Sequence, residues 1–226
     1  MSDSSALQPI VATASPAGGL FSGLRRNADP RRWDVHTVAE LGVAIALAAI
    51  LGYLAQAMAL KMPQGGSFGL EMLPILFVAV RRGVVPAIVA GCLYGFVQMT
   101  GVVGPTYMYH PLQVALDYPL AFAALGLAGI VRLGPTERLQ SISRRGCLRI
   151  SGAVAIGCAG RFVCHFLSGL IYFATYAPHW EAPWLYSITY NLAYLVPSAI
   201  ASTVLLVPIL AAYDAAFPAQ DERGVV

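Results

Sequence analysis

Leu41–Leu60 is a run of twenty residues with no aspartate, glutamate, lysine or arginine. An α-helix rises about 1.5 Å per residue, so about 20 apolar residues cross the hydrocarbon core of a bilayer. In lipid every backbone N–H and C=O must be paired within the protein, and a lone run satisfies that only as a helix. The rest of the chain agrees with this reading. Its 226 residues are 58% hydrophobic and 11% charged, against about 25% charged in a typical soluble domain. The expected class is an all-α membrane protein.

Further spans follow from the same logic. Met72–Val80, bounded by Glu71 and Arg81, predicts a short or partly re-entrant second span. The stretch 83–116 carries no Asp, Glu, Lys or Arg and is broken by GVVGPTYMYHP at 101–111. Gly and Pro punctuate helices, so this predicts a third span near 84–100 and a fourth near 111–131. A fifth is expected over 150–176, interrupted by Arg161, and a sixth within 182–213. The basic stretch Arg132–Arg149 reads as a loop. YAPHWEAPW at 176–184 reads as another, with Trp180 and Trp184 suited to a membrane interface.

The arginines predict orientation. Arg25, Arg26, Arg31 and Arg32 precede the first span, and Arg81 and Arg82 separate the second from the third. Five arginines from Arg132 to Arg149 separate the fourth from the fifth, and Arg223 follows the sixth. Histidines aside, the alternate loops hold only Lys61. Basic loops stay cytoplasmic, so both termini are expected inside. The organisation expected is a disordered tail over 1–36, a six-helix membrane domain over 37–213 and a short C-terminal tail over 214–226. No internal repeat of the kind found in inverted-repeat carriers is visible.

Several function classes recede. No basic patch interleaves with exposed aromatics, which leaves no case for nucleic acid. Cys92, Cys147, Cys158 and Cys164 show no C-x-x-C spacing and read as small helix fillers. No nucleophile–base pair, acid pair, metal-spaced histidine cluster or phosphate-cradling glycine loop occurs. No catalytic residue, metal or cofactor is expected, and the chain has no nucleotide-binding motif of its own.

Polar groups inside apolar runs are costly and point to function. On a helix His110, Gln113 and Asp117 share a face, and Asp117 can accept from a cationic or amino-bearing ligand. Arg161, His165, Gly169 and Phe173 recur every fourth residue, with Gly169 leaving room for a flat group beside His165. Arg161 is expected nearer the cytoplasmic end, snorkelling or pairing. Tyr186, Tyr190 and Tyr194 step by four, and Asn191 lies beside Tyr194 and Ser187. An aromatic wall with an amide suits a flat heteroaromatic ring.

Four segments in this order, MPQGGSFGLEMLPILFVAVRRG (62–83), YMYHPLQVALDYPLAFAALGLAGI (107–130), RFVCHFLSGLIYF (161–173) and YSITYN (186–191), resemble the thiamine-specific S-component of energy-coupling-factor transporters. The resemblance runs from about 37 to 213. It implies a six-helix bundle in the cell membrane that binds thiamine near its outer face and works with a scaffold membrane protein and two ATPase subunits. It implies that Asp117 stands where the family has an acidic residue, a glutamate one methylene longer, facing the cationic vitamin. Tyr118 follows as a family aromatic. His165 and Gly169 match H-F-x-x-G, and Tyr186 and Asn191 match Y-x-x-x-x-N, with Asn191 on the aminopyrimidine. Tyr107 matches a tyrosine before the fourth span, and Phe173 stands where a tryptophan can occur. Tyr190 joins the aromatic wall. Gly65 and Gly69 replace a tryptophan and a glutamate of some members, and Glu71 is a candidate to compensate.

On the first span Gly42, Ala46 and Ile50 step by four, as do Ala44 and Ala48, and the small residues among them permit close helix approach. The resemblance implies docking on the scaffold subunit there; packing within the bundle is the alternative. The alternatives for the whole chain are a stand-alone proton-coupled carrier using Asp117 and His165, an S-component for another heteroaromatic vitamin, or a membrane enzyme.

Overall fold

The computed structural model describes residues 33–58, 62, 66–103, 106–134 and 142–217. Residues 1–32 of the tail expected over 1–36, Lys61, Gly65 and the residues after 217 lie outside the described residues; Val35 and His36, expected in that tail, instead open the first helix. Helix α1 spans Val35–Ala57, and Asp34 caps it by accepting from the Thr37 amide at 2.8 Å. Its buried residues, Thr37, Leu41, Ala44, Ala48, Gly52 and Ala55, step by three or four and form one stripe. The opposite face shows Val43, Leu47 and Ile50 outward, as a lipid-facing helix does.

Helix α2 spans Leu73–Arg82, ten residues, or about 15 Å of rise. That is half a membrane, as its short apolar run predicts. Leu73, Pro74, Ile75, Leu76, Val78, Ala79 and Val80 are all buried, so it is enclosed by the other helices rather than by lipid. At Gly83, with φ 95°, the chain turns directly into α3, Val84–Met99. On α3 a Cβ at Gly91 would strike the Phe122 backbone, and one at Gly95 the Pro119 backbone. The missing side chains let the two segments touch.

The fourth segment is divided. Helix α4 spans Pro111–Asp117 and α5 spans Pro119–Ala124, with a 3-10 turn over Leu125–Val131. Pro119 has no N–H for a helical bond and its ring disfavours helical geometry at the residue before. Tyr118 accordingly sits at φ −115°, ψ −85°. Helix α6 spans Arg144–Tyr172 and α7 spans Pro183–Ala216. Among the described residues, four segments are long and apolar enough to cross a membrane: Val35–Ala57, Pro111–Val131, Arg144–Tyr172 and Pro183–Ala216. With the shorter α2 and α3 they give an all-α bundle of six helical segments.

Two sequence expectations need correction. The basic stretch ending at Arg149 is not all loop. Ser143 caps α6 by accepting from the Gly146 amide at 3.1 Å, which places Arg144, Arg145 and Arg149 on the helix. The expected docking residues on α1 also divide. Ala44 is 5% exposed and Ala48 fully buried, packed inside the bundle, whereas Gly42 and Ala46 face outward. At the start of α1, Glu40 accepts from Arg81 Nη1 at 2.6 Å and from Arg82 Nε at 2.7 Å, and the Arg81 guanidinium lies 4.2 Å from the Tyr213 ring centre. This pins α1, α2 and α7 together at one end of the bundle.

Candidate functional site

At the other end, where α1, α3 and α6 finish and α4 and α7 begin, lies a cavity of about 300 Å³. That is the lower end of the range for small-molecule pockets. The nine residues singled out from the sequence, Asp117, His165, Asn191, Tyr186, Tyr107, Gly169, Phe173, Tyr118 and Tyr190, all line it.

The helix break delivers Asp117 to the cavity wall. Its carboxylate accepts from Gln113 Nε2 at 2.6 Å, from Ser168 Oγ at 2.8 Å and from His165 Nδ1 at 3.3 Å. Gln113 is fully buried and spreads its amide three ways. It also donates to the Tyr107 carbonyl at 3.1 Å and accepts from the Tyr109 amide at 3.1 Å. Tyr118, the break residue, holds the same loop: its hydroxyl accepts from the Tyr107 amide at 2.9 Å. The loop that carries Tyr107 is therefore fixed by the fourth segment's own side chains.

Arg161 decides the state of His165. The Arg161 Nε–H can only donate, and it lies 3.2 Å from His165 Nε2. Nε2 is thus the acceptor, and the ring proton sits on Nδ1, facing Asp117. Of the two outcomes expected for it, Arg161 does not snorkel but pairs in the interior. It is 4% exposed, lines the cavity, stacks its guanidinium 4.1 Å from the Phe122 ring centre and approaches Glu71 Oε1 at 3.7 Å. Glu71 does not line the cavity. It lies beneath it, 1% exposed, and accepts from Ser67 Oγ at 2.8 Å.

The far wall belongs to α7. Tyr186 and Tyr190 have ring centres 5.7 Å apart, and Tyr190 and Tyr194 6.3 Å. Asn191 donates to the Ser187 carbonyl at 2.8 Å and accepts from the Tyr194 hydroxyl at 2.7 Å. Gly169 serves differently from the sequence expectation. A Cβ there would collide with Ser187 Oγ, so the space is filled by α7, and the glycine sets how closely α6 and α7 approach. His110 does not join Asp117 in the cavity. It caps α4 by accepting from the Leu112 amide at 3.1 Å and stacks on Tyr172. Gly66, at φ 79°, lines the cavity in a turn laid over the Tyr194 ring, a position any side chain would strain.

Sequence reasoning placed Ser187 on the face of Asn191 but missed Ser168 and the link from Glu71 to Arg161. Ser168 carries no periodic signal beyond that of an ordinary small residue in a helix. Glu71 lies ninety positions from Arg161, and nothing local relates them.

A helical bundle with four segments long and apolar enough to cross a membrane, and with a carboxylate, a histidine–arginine pair and tyrosines around one cavity, has the architecture of a multi-pass membrane protein. The chain belongs to the thiamine transporter protein family (Thia_YuaJ), whose model matches residues 38–217. It is 38% identical over 170 residues to the thiamine transporter ThiT of Bacillus subtilis strain 168, covering 74% of this chain and 86% of that protein. It is 31% identical over 145 residues to the ThiT of Lacticaseibacillus paracasei strain ATCC 334, covering 62% and 68%. Its fold is similar to a solved structure of ThiT from Listeria monocytogenes, with a TM-score of 0.68 at 24% identity over 78% of this chain and 93% of the other. The family is one of transporters, and this chain is a transport protein rather than an enzyme.

Proposed function

We propose that the cavity binds thiamine and that the chain is the substrate-specificity subunit of an energy-coupling-factor importer in the cell membrane. The observation that carries this reading is the position of the Asp117 carboxylate on the wall of a cavity otherwise rich in aromatic rings. Thiamine has a thiazolium ring whose positive charge is fixed at every pH, and an aminopyrimidine ring that both donates and accepts. A partly buried carboxylate suits the first. Tyr107, Phe173, Tyr186 and Tyr190 offer faces and edges to both rings, and Asn191 offers its amide to the aminopyrimidine. The sequence relatives are named thiamine transporters, which supports the same ligand.

In this reading both termini and the Glu40–Arg81–Arg82 end are cytoplasmic, and the cavity opens outward. The scaffold membrane protein and two ATPases supply the energy, with the outward stripe of Gly42 and Ala46 as the face on which the scaffold docks. The His165 geometry counts against a stand-alone proton-coupled carrier. Arg161 already occupies Nε2, so a proton arriving there would meet a donor rather than an acceptor. Titration of the purified chain with thiamine, read by heat or tryptophan fluorescence, tests the binding half. Saturation at or below micromolar thiamine is expected, and no response from a folded sample would overturn it. Reconstituted alone, the chain should bind thiamine without accumulating it. Accumulation driven by a proton gradient alone would favour the carrier.

A further inference from the structure

The polar groups under the cavity form one line across the bundle. Glu71 Oε1 faces Arg161 Nη2 at 3.7 Å, Arg161 Nε meets His165 Nε2 at 3.2 Å, and His165 Nδ1 meets Asp117 Oδ1 at 3.3 Å. Glu71 faces the Arg161 guanidinium directly, while Asp117 stands on the far side of the imidazole, which carries its proton on Nδ1. Arg161 is a poor neighbour for a cationic ligand, since it lines the same cavity. Alone with Asp117 it would leave the cluster uncharged. Glu71 changes that balance from outside the cavity: with it, the cluster carries one net negative charge. Its second oxygen, Oε2, is buried without a hydrogen-bond partner. Among the described residues Arg161 is the cation set against Glu71, whose other donor is the uncharged Ser67 hydroxyl, so an ionised Glu71 acts on Arg161 and on the cavity together. At the low effective dielectric of a protein interior, charges several ångströms apart still interact strongly.

We infer that Glu71 is a specificity-determining positioning residue: by offsetting Arg161 it tunes the cavity for a ligand carrying a single positive charge. It never touches the ligand. This rests on the reading of the cavity as a thiamine site and deepens it. The same balance disfavours phosphorylated forms of the ligand, whose added negative charges would meet a net negative site.

The test compares two probes, thiamine and an isostere in which a neutral thiophene replaces the thiazolium while the aminopyrimidine is retained. Both are titrated calorimetrically into the native chain, Glu71→Gln, Glu71→Asp and the double variant Glu71→Gln/Arg161→Gln, with thermal melting of each in detergent. Glutamine at 161 keeps an N–H for His165 Nε2. The expected result is that Glu71→Gln weakens thiamine by at least about tenfold, a margin of about 1.4 kcal/mol, while the isostere changes far less. Glu71→Asp should retain most of the native preference. The double variant, whose cluster again holds one net negative charge on Asp117, should recover thiamine affinity to within about tenfold of native. If Glu71→Gln does not fold, the double variant decides alone. Equal weakening of both probes in Glu71→Gln, or no recovery in a folded double variant, would overturn the inference and leave Glu71 a packing residue. Failure of the native chain to bind thiamine would instead overturn the reading on which the inference rests.

Discussion

His165 on α6 reaches Asp117 on α4, Nδ1 to Oδ1 at 3.3 Å, and does so with its proton on the side of the carboxylate. The arrangement has a cause in each partner. Asp117 is the last residue of α4, where Pro119 breaks the helix. His165 is oriented by an arginine one turn earlier on its own helix. The cavity wall is thus assembled from a helix break on one side and a regular i, i+4 pair on the other.

Tyr118 is expected to act through the loop it holds. Tyr118→Phe removes the hydroxyl that accepts from the Tyr107 amide. A hydrogen bond of this kind contributes about 0.5–1.5 kcal/mol, so thiamine affinity should fall a few-fold with the melting temperature little changed. Titration beside a thermal melt checks this. Unchanged affinity would mean that Tyr107 does not need its anchor.

Gly169→Ala should act on packing. The added methyl meets Ser187 Oγ, and overpacking a close contact costs about 1–3 kcal/mol. Relief requires Ser187 to turn its hydroxyl away from the Phe166 carbonyl, or α7 to move from α6 and carry Asn191 with it. A lower melting temperature together with weaker thiamine binding is expected. A native melt would show that the contact gives way at no cost.

Arg161→Ala and Asn191→Ala should separate stability from binding. Losing Arg161 strands Glu71 in the interior, and breaking a buried pair costs about 3–5 kcal/mol. A large fall in melting temperature is expected. Asn191→Ala leaves the Tyr194 hydroxyl without its acceptor, a loss of about 1–3 kcal/mol. It should weaken binding more than it lowers the melt. Identical profiles for the two variants would contradict the roles assigned to them.

Much of this was legible because the membrane makes polar residues conspicuous. Asp117, His165 and Asn191 stand out as isolated polar groups in apolar runs, and the charge-free run at 41–60 marks α1. What escaped lies where local pattern is silent. Small residues every fourth position on α1 form two stripes, and periodicity does not say which one faces the bundle; Ala44 and Ala48 turned inward. Arg144, Arg145 and Arg149 read as loop because they are charged, yet Ser143 supplies a cap and the helix continues beyond the apolar run. Gly169 suggested open space, but only the three-dimensional position of Ser187 shows that the space is taken. The pairing of Glu71 with Arg161 is a property of the fold, not of either segment.

The central claim is that the Asp117 carboxylate meets the fixed cation of thiamine. The most direct measurement is the affinity of Asp117→Asn for thiamine beside that of the native chain, each in detergent with its helical content confirmed. Asparagine keeps the size and can still accept from Ser168, but it carries no charge. Removing one partner of a buried ion pair costs about 3–5 kcal/mol, so affinity should fall by at least about 100-fold, while Asp117→Glu should stay within about tenfold of native. Native-like affinity in Asp117→Asn would mean that the carboxylate is structural and that the cation is held elsewhere.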